Sequence, residues 1–149
     1  MNTKKSEVAK ELFKKGYNCS QAVLGAWCED LGLDFDTAMR ISQSFGGGMG
    51  RLREVCGTCT GAFMVLGLKY GTADSKDSER KKEVYEIVQK FAKRFKEVNG
   101  FDSIICRELL GLPSGSSVPI PAKRTNEYYK KRPCVELVGL SAGLLDEFI

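Results

Sequence analysis

The sequence predicts an all-α fold, a bundle of about six to seven helices forming a single domain over residues 1–149. Three observations predict it. Apolar residues recur at the helical period, most clearly Val84, Ile87, Val88, Phe91, Phe95 and Val98. Residues that start or stop helices punctuate such stretches: Gly16, Asn18, Asp36, Asn99-Gly100 and Pro133. No stretch keeps the alternation of a half-buried strand, and no internal repeat stands out.

Taken in order, a first helix is expected from Lys4 to Lys15, with Val8, Leu12 and Phe13 on one face and Gly16 as its stop. Asn18 caps a second, Cys19 to Leu31, whose apolar face carries Ala22, Val23, Ala26 and Trp27. Asp36 opens a third, through Ala38, Met39 and Ile41 to Phe45. The glycine loop FGGGMGR follows, then a helix from Glu54 to Tyr70. Residues 77–98 give the longest helix, ended by Asn99-Gly100. Asp102 is placed as the cap of a short helix holding Cys106, Leu109 and Leu110. The loop GLPSGSSVPIPA, with three of the four prolines, leads to a helical turn at 126–131. Pro133 then opens the last helix, CVELVGLSAGLLDEFI.

Composition narrows the class. With 42% apolar and 28% charged residues the chain is an ordinary globular one, long enough to bury a core without covalent staples. Its start, MNTKKSEVAKELFKK, lacks the apolar stretch of a secretory signal. The longest strongly apolar run, AFMVLGL at 62–68, is too short to span a bilayer. The expectation is a soluble, cytoplasmic protein without membrane insertion.

In a reducing compartment the six cysteines are not expected to form a permanent disulfide framework. Histidine is absent altogether, which removes Cys-His and Ser-His-Asp nucleophiles, the usual zinc hydrolase sites, Rieske clusters and Glu-x-x-His di-iron helices. Thr60, not histidine, follows the Cys56-x-x-Cys59 pair, so it is no haem attachment point.

Cys19, Cys56 and Cys134 fall in or beside the first turn of an expected helix, where unpaired N–H groups and the dipole favour a thiolate. Cys106 is expected a turn into its short helix. Each joins an apolar stripe, so four helices can bring four sulfurs to one interior site. Cys28 lies nine residues beyond Cys19, roughly 900° around the helix, and points to the opposite face. Against this stands the plainer account that a free cysteine is a small hydrophobe, and Cys28 is assigned to it.

Gly46, Gly47, Gly48 and Gly50 let backbone approach a ligand closely or form an N–H concavity; the competing reading is a tight interhelical turn. Arg51 stands where a dinucleotide fingerprint needs a third glycine, and no Gly-Lys-Ser/Thr follows. The loop suits N–H donation to sulfur, with Arg51 and Arg53 offsetting negative charge. The basic segment Lys123, Arg124, Lys130, Lys131 and Arg132, with Tyr128 and Tyr129, is read as a solvated face and not a nucleic-acid site, given a net charge of only +4. Glu29-Asp30 and Asp146-Glu147 are adjacent in sequence and make poor acid–base pairs on a helix.

GYNCSQAVL, SFGGGMGR, VCGTCTGAFMVLGLKYG, CRELLG and the cysteine of RPCVELV together resemble the redox-active family named for its cysteine pattern, C_GCAxxG_C_C. The resemblance runs from about Phe13 to the last helix. Its four characteristic cysteines correspond to Cys19, Cys56, Cys106 and Cys134, the four that helix placement selects, leaving Cys28 and Cys59 as extras. One departure is Thr58 in place of the motif's alanine; Cys59 fills a variable slot. The family is similar to the helical domain of split-Soret cytochromes, which implies an iron–sulfur site on four cysteines; the haem-bearing part is not matched. Members tend to lie near transporter and oxidoreductase loci, which implies redox protein partners of those kinds.

Three functions stay open. The first is an iron–sulfur electron carrier or redox sensor, with [2Fe–2S] ligated by Cys19, Cys56, Cys106 and Cys134, and with Gly46, Gly47, Gly48, Gly50, Arg51 and Gly57 against the cluster. A homodimer sharing the cluster is compatible with it. The second is a thiol–disulfide oxidoreductase using Cys56 and Cys59 without metal. The third is a zinc-binding module on the same four thiolates. On the first and third the protein needs no substrate of its own, so an enzymatic activity is left undecided.

Overall fold

The computed structural model describes residues 3–149. Helix α1, Lys4–Lys14, starts at Thr3, whose hydroxyl accepts from the Ser6 N–H at 3.1 Å. Helix α2, Cys19–Trp27, starts on a capping box. Asn18 Oδ1 accepts from the Gln21 N–H at 3.0 Å, and the Asn18 N–H donates to Gln21 Oε1 at 2.9 Å. It is shorter than expected, because the chain tightens into a 3-10 turn at Glu29–Leu31 and Gly32 closes it in a left-handed conformation.

Helix α3, Phe35–Gln43, is capped by Asp34 rather than Asp36: Asp34 Oδ2 accepts from the Thr37 N–H at 2.9 Å, leaving Asp36 in the first turn. Helix α4, Gly57–Tyr70, begins at Gly57 and not at Glu54. Helix α5, Ser78–Val98, is capped by Asp77. Helix α6, Cys106–Leu109, follows Ile105; the expected cap, Asp102, instead occupies a left-handed turn at φ 52° with its N–H on Asn99 Oδ1. Helix α7, Asn126–Lys131, starts at Thr125, and α8, Cys134–Leu144, follows Pro133 and runs into a 3-10 turn at Leu145–Glu147.

These helices share one core. Helix α2 is its centre, lying against α1, α3, α4 and α8; α1 also packs along α8, and α5 covers α4. Phe13, Leu24, Leu66, Phe91, Phe95, Val138 and Leu144 are fully buried there. Each such side chain contributes about 1.5–3 kcal/mol by leaving water. Buried hydroxyls and the indole tie the layers: Ser6 Oγ donates to Gly139 O, Trp27 Nε1 to Ala142 O, and Ser141 Oγ to Thr58 O, at 2.7, 3.0 and 2.7 Å. No helix among the described residues is long and apolar enough to cross a membrane.

The late start of α4 has a tertiary cause. Val55 and Ile105 form an antiparallel bridge, the Cys56 N–H donates to Ile104 O at 2.7 Å and the Cys106 N–H to Glu54 O at 2.6 Å. Residues 54–56, held in this pairing, cannot also be helical, and the pairing sets the starts of α4 and α6 side by side.

Candidate functional site

The site is built from helix starts. Cys19, Cys106 and Cys134 are the first residues of α2, α6 and α8, and Cys56 is the N-cap of α4. Cys106 thus stands at the head of its helix, not a turn inside it. All four line a single cavity of about 480 Å³. The glycines and arginine expected beside them, Gly46, Gly47, Gly48, Gly50, Arg51 and Gly57, line it too. Cys28 and Cys59 do not: both are fully buried in the apolar core. Cys28 Sγ turns back to Gly25 O at 3.7 Å, as its position on the far side of the helix requires.

The glycine stretch is a left-handed turn rather than a true helix. Gly47, Gly48, Met49, Gly50, Arg51 and Arg53 all have φ between 59° and 70°. Three of these are not glycine, and each such residue costs about 1 kcal/mol or more of strain that the surroundings must offset. What the turn accomplishes is close approach. A Cβ on Gly48 would stand 2.6 Å from the Cys106 Cβ and 2.7 Å from the Arg53 Cα, so only glycine lets the turn seat against Cys106. Gly57 does the same between α4 and α2, where an added Cβ would meet the Cys19 Cβ at 3.0 Å.

Arg53 connects the turn to the sulfurs. It is almost wholly buried, and Nη1 donates to Cys106 Sγ at 3.4 Å while Nε donates to Ser117 Oγ at 2.9 Å. Arg51 lines the cavity without reaching any acceptor, and its buried Nε makes no hydrogen bond. Cys56 Sγ shares a hydrogen bond with Thr58 Oγ1 at 3.1 Å, a use for the threonine that replaces the motif's alanine.

The thiols do not titrate as helix starts alone predict. Burial pushes the Cys56 thiol up to about 12, outweighing the Thr58 hydroxyl and N–H that favour its thiolate. Burial likewise raises Cys59. Cys134 is pulled down to about 7, first by the neighbouring Cys19 thiol and then, against burial, by Arg132, while Cys19 is held well up. The thiol shifts thus follow burial at Cys56 and the neighbouring sulfur at Cys19, while the lowering at Cys134 comes from Cys19, Arg132, Tyr128 and Arg124.

The basic segment is the other correction. Lys123, Lys130 and Lys131 are solvated, but Arg124 is folded inward: Nη1 donates to Phe13 O at 2.7 Å, Nη2 to Tyr17 O at 3.0 Å, and its guanidinium lies 4.0 Å from the centre of the Phe13 ring. Arg124, Tyr128 and Arg132 all line the cavity. The sequence signal that could have found them is the interleaving of arginine with tyrosine immediately before Cys134.

The donor set suits a soft metal centre: four thiols, three helix starts of eight or more residues, and a guanidinium on one sulfur. Among the described residues no three cysteine, aspartate or glutamate side chains are gathered closely enough to hold one metal ion.

The family model described as "Putative redox-active protein (C_GCAxxG_C_C)" matches residues 17–148. No curated protein and no solved structure matches. The chain belongs to the C_GCAxxG_C_C redox-active family.

Proposed function

From that membership and this geometry, we propose that the protein is an electron carrier or redox sensor whose four thiolates, Cys19, Cys56, Cys106 and Cys134, hold a [2Fe–2S] cluster. The observation that carries the reading is that these four cysteines, far apart in sequence, line one cavity while Cys28 and Cys59 stay outside it. When bound, the cluster would supply one-electron transfer at a potential set by its surroundings.

The chain's own residues would set those surroundings. The starts of α2, α4 and α8 present partial positive charge to the sulfurs, and Arg53 donates to Cys106 Sγ, so negative charge there is stabilised, with no carboxylate among the residues that line the cavity. Gly48 and Gly57 let backbone seat against two of the cysteines. A single zinc would need its four sulfurs about 2.3 Å from one point.

The test is the visible spectrum of protein purified without oxygen. Charge-transfer bands that bleach on reduction are expected in the wild type and in Cys28→Ala and are expected to vanish in Cys56→Ser. Equal effects of the two substitutions would reject the assignment.

One observation favours a dithiol reading without metal, and on a pair other than Cys56 and Cys59. Cys19 and Cys134 head two packed helices on the cavity and each is the first influence on the other's thiol, so the dithiol step on this reading is a two-electron oxidation joining their sulfurs, with a disulfide of a partner reduced to two thiols. Oxidoreductase or transporter-associated redox proteins are the proposed partners, in a reducing compartment such as the cytoplasm.

A further inference from the structure

Four arginines line the cavity, Arg51, Arg53, Arg124 and Arg132, and no aspartate or glutamate does. None of the four takes part in an ion pair among the described residues. The nearby carboxylates are engaged elsewhere: Glu54 pairs with Arg107 at 2.7 Å, and Glu108 accepts from Ser103 Oγ.

The four guanidiniums divide into two sets. Arg53 and Arg124 have protein acceptors, Cys106 and Ser117 for one and the carbonyls of Phe13 and Tyr17 for the other. Arg51 and Arg132 have none among the described residues. Arg132 meets only the Tyr128 ring, 5.5 Å from its centre, and Arg51 carries a buried, unbonded Nε. A buried donor left without a partner is unfavourable, and a bound acceptor would relieve it. Crowding adds to it: after burial, Arg53 and Arg132 are the main groups that depress the basicity of Arg51.

The proposed cluster does not balance this charge. Two ferric ions, two sulfides and four thiolates sum to about −2, against four guanidiniums, so an excess of about +2 remains. The count rests on the cluster reading; without the cluster the excess is larger. Space points the same way, since about 480 Å³ lies in the range of pockets that enclose whole small molecules.

We propose that this cavity binds the oxyanion group of a small molecule through Arg51 and Arg132, beside the four sulfurs. Planar guanidinium forks suit a carboxylate, a sulfate or a phosphate group equally in kind. An anion bound there favours the oxidised, less negative state of a neighbouring cluster. By linkage, reduction must weaken anion binding by the same factor.

The test is calorimetric titration of the anaerobically purified protein, at matched ionic strength, with inorganic phosphate, sulfate and acetate as separate probes, and chloride as the background salt. Iron and sulfide per chain are assayed on the same samples. Saturable binding of at least one probe, one per chain, is expected, and Arg132→Gln should weaken it about tenfold, compared between samples of equal iron and sulfide content. Arg51→Gln is the second variant, with the same expected loss of binding. No saturable binding of any probe, or binding that both variants leave intact, would overturn the proposal. Calorimetry needs no colour, so absence of iron would count against the cluster alone, and absence of binding in iron-loaded protein against the anion site alone.

Discussion

The long helix α5 and the wall of the cavity are both rich in cations, and they treat them in opposite ways. On α5 the charges face water, and three of its cations find partners one turn away: Arg80 with Glu83, Lys82 with Glu86, Arg94 with Glu97. Only Phe91 and Phe95 of that helix are buried. In the cavity four arginines stand together with no carboxylate among them. The difference teaches that net charge, a modest +4 for the chain, conceals where charge is uncompensated. The α5 pattern is that of a solvated helix, whereas arginines sharing a cavity with four cysteines, two of them without an acceptor among the described residues, support the proposal of a site for negative charge.

The largest break in that comparison is to remove a sulfur. Cys106→Ser should abolish the visible absorbance and leave the chain without iron, whereas Cys28→Ala, equally buried but in the core, should retain both. Absorbance and iron assay on the two proteins check it. Next is the glycine turn. Gly48→Ala places a methyl against Cys106 and Arg53 at φ 70° and should lower unfolding stability by about 2–4 kcal/mol in urea. Gly67→Ala, on α4 with open space around it, should raise stability by about 0.5–1 kcal/mol.

A smaller effect sharpens the electrostatic contrast. Arg53→Lys withdraws the fork that reaches both Cys106 and Ser117, so the oxidised state gains and the reduction potential should fall by on the order of tens of millivolts. Protein-film voltammetry reads this directly, and Arg80→Gln on α5 should leave the potential unmoved. Smallest of all, Lys82→Gln removes one exposed pair and should change stability by no more than about 0.5 kcal/mol.

Much of this is legible in sequence because it is local. The 3.6-residue stripe of α5, the Asn18 cap and the stops at Gly16 and Asn99 depend on neighbours a turn away. The four cysteines can be picked out because each begins or adjoins a helix, and a helix start is a local signal. What is not legible depends on distant partners. Glu54 reads as helical until its carbonyl accepts from the Cys106 N–H, and a two-residue bridge is too short to leave an alternating pattern. Arg124 reads as a surface cation because its acceptors, the carbonyls of Phe13 and Tyr17, lie more than a hundred residues earlier. The titration of Cys56 escapes the sequence for a related reason: a helix start announces itself there, but the burial that raises the thiol does not.

The measurement that tests the central claim most directly is iron, acid-labile sulfide and zinc per chain in protein purified without oxygen and again after reconstitution. The account predicts about two irons matched by two sulfides and no stoichiometric zinc. One tightly held zinc, or no metal in either preparation, would contradict it.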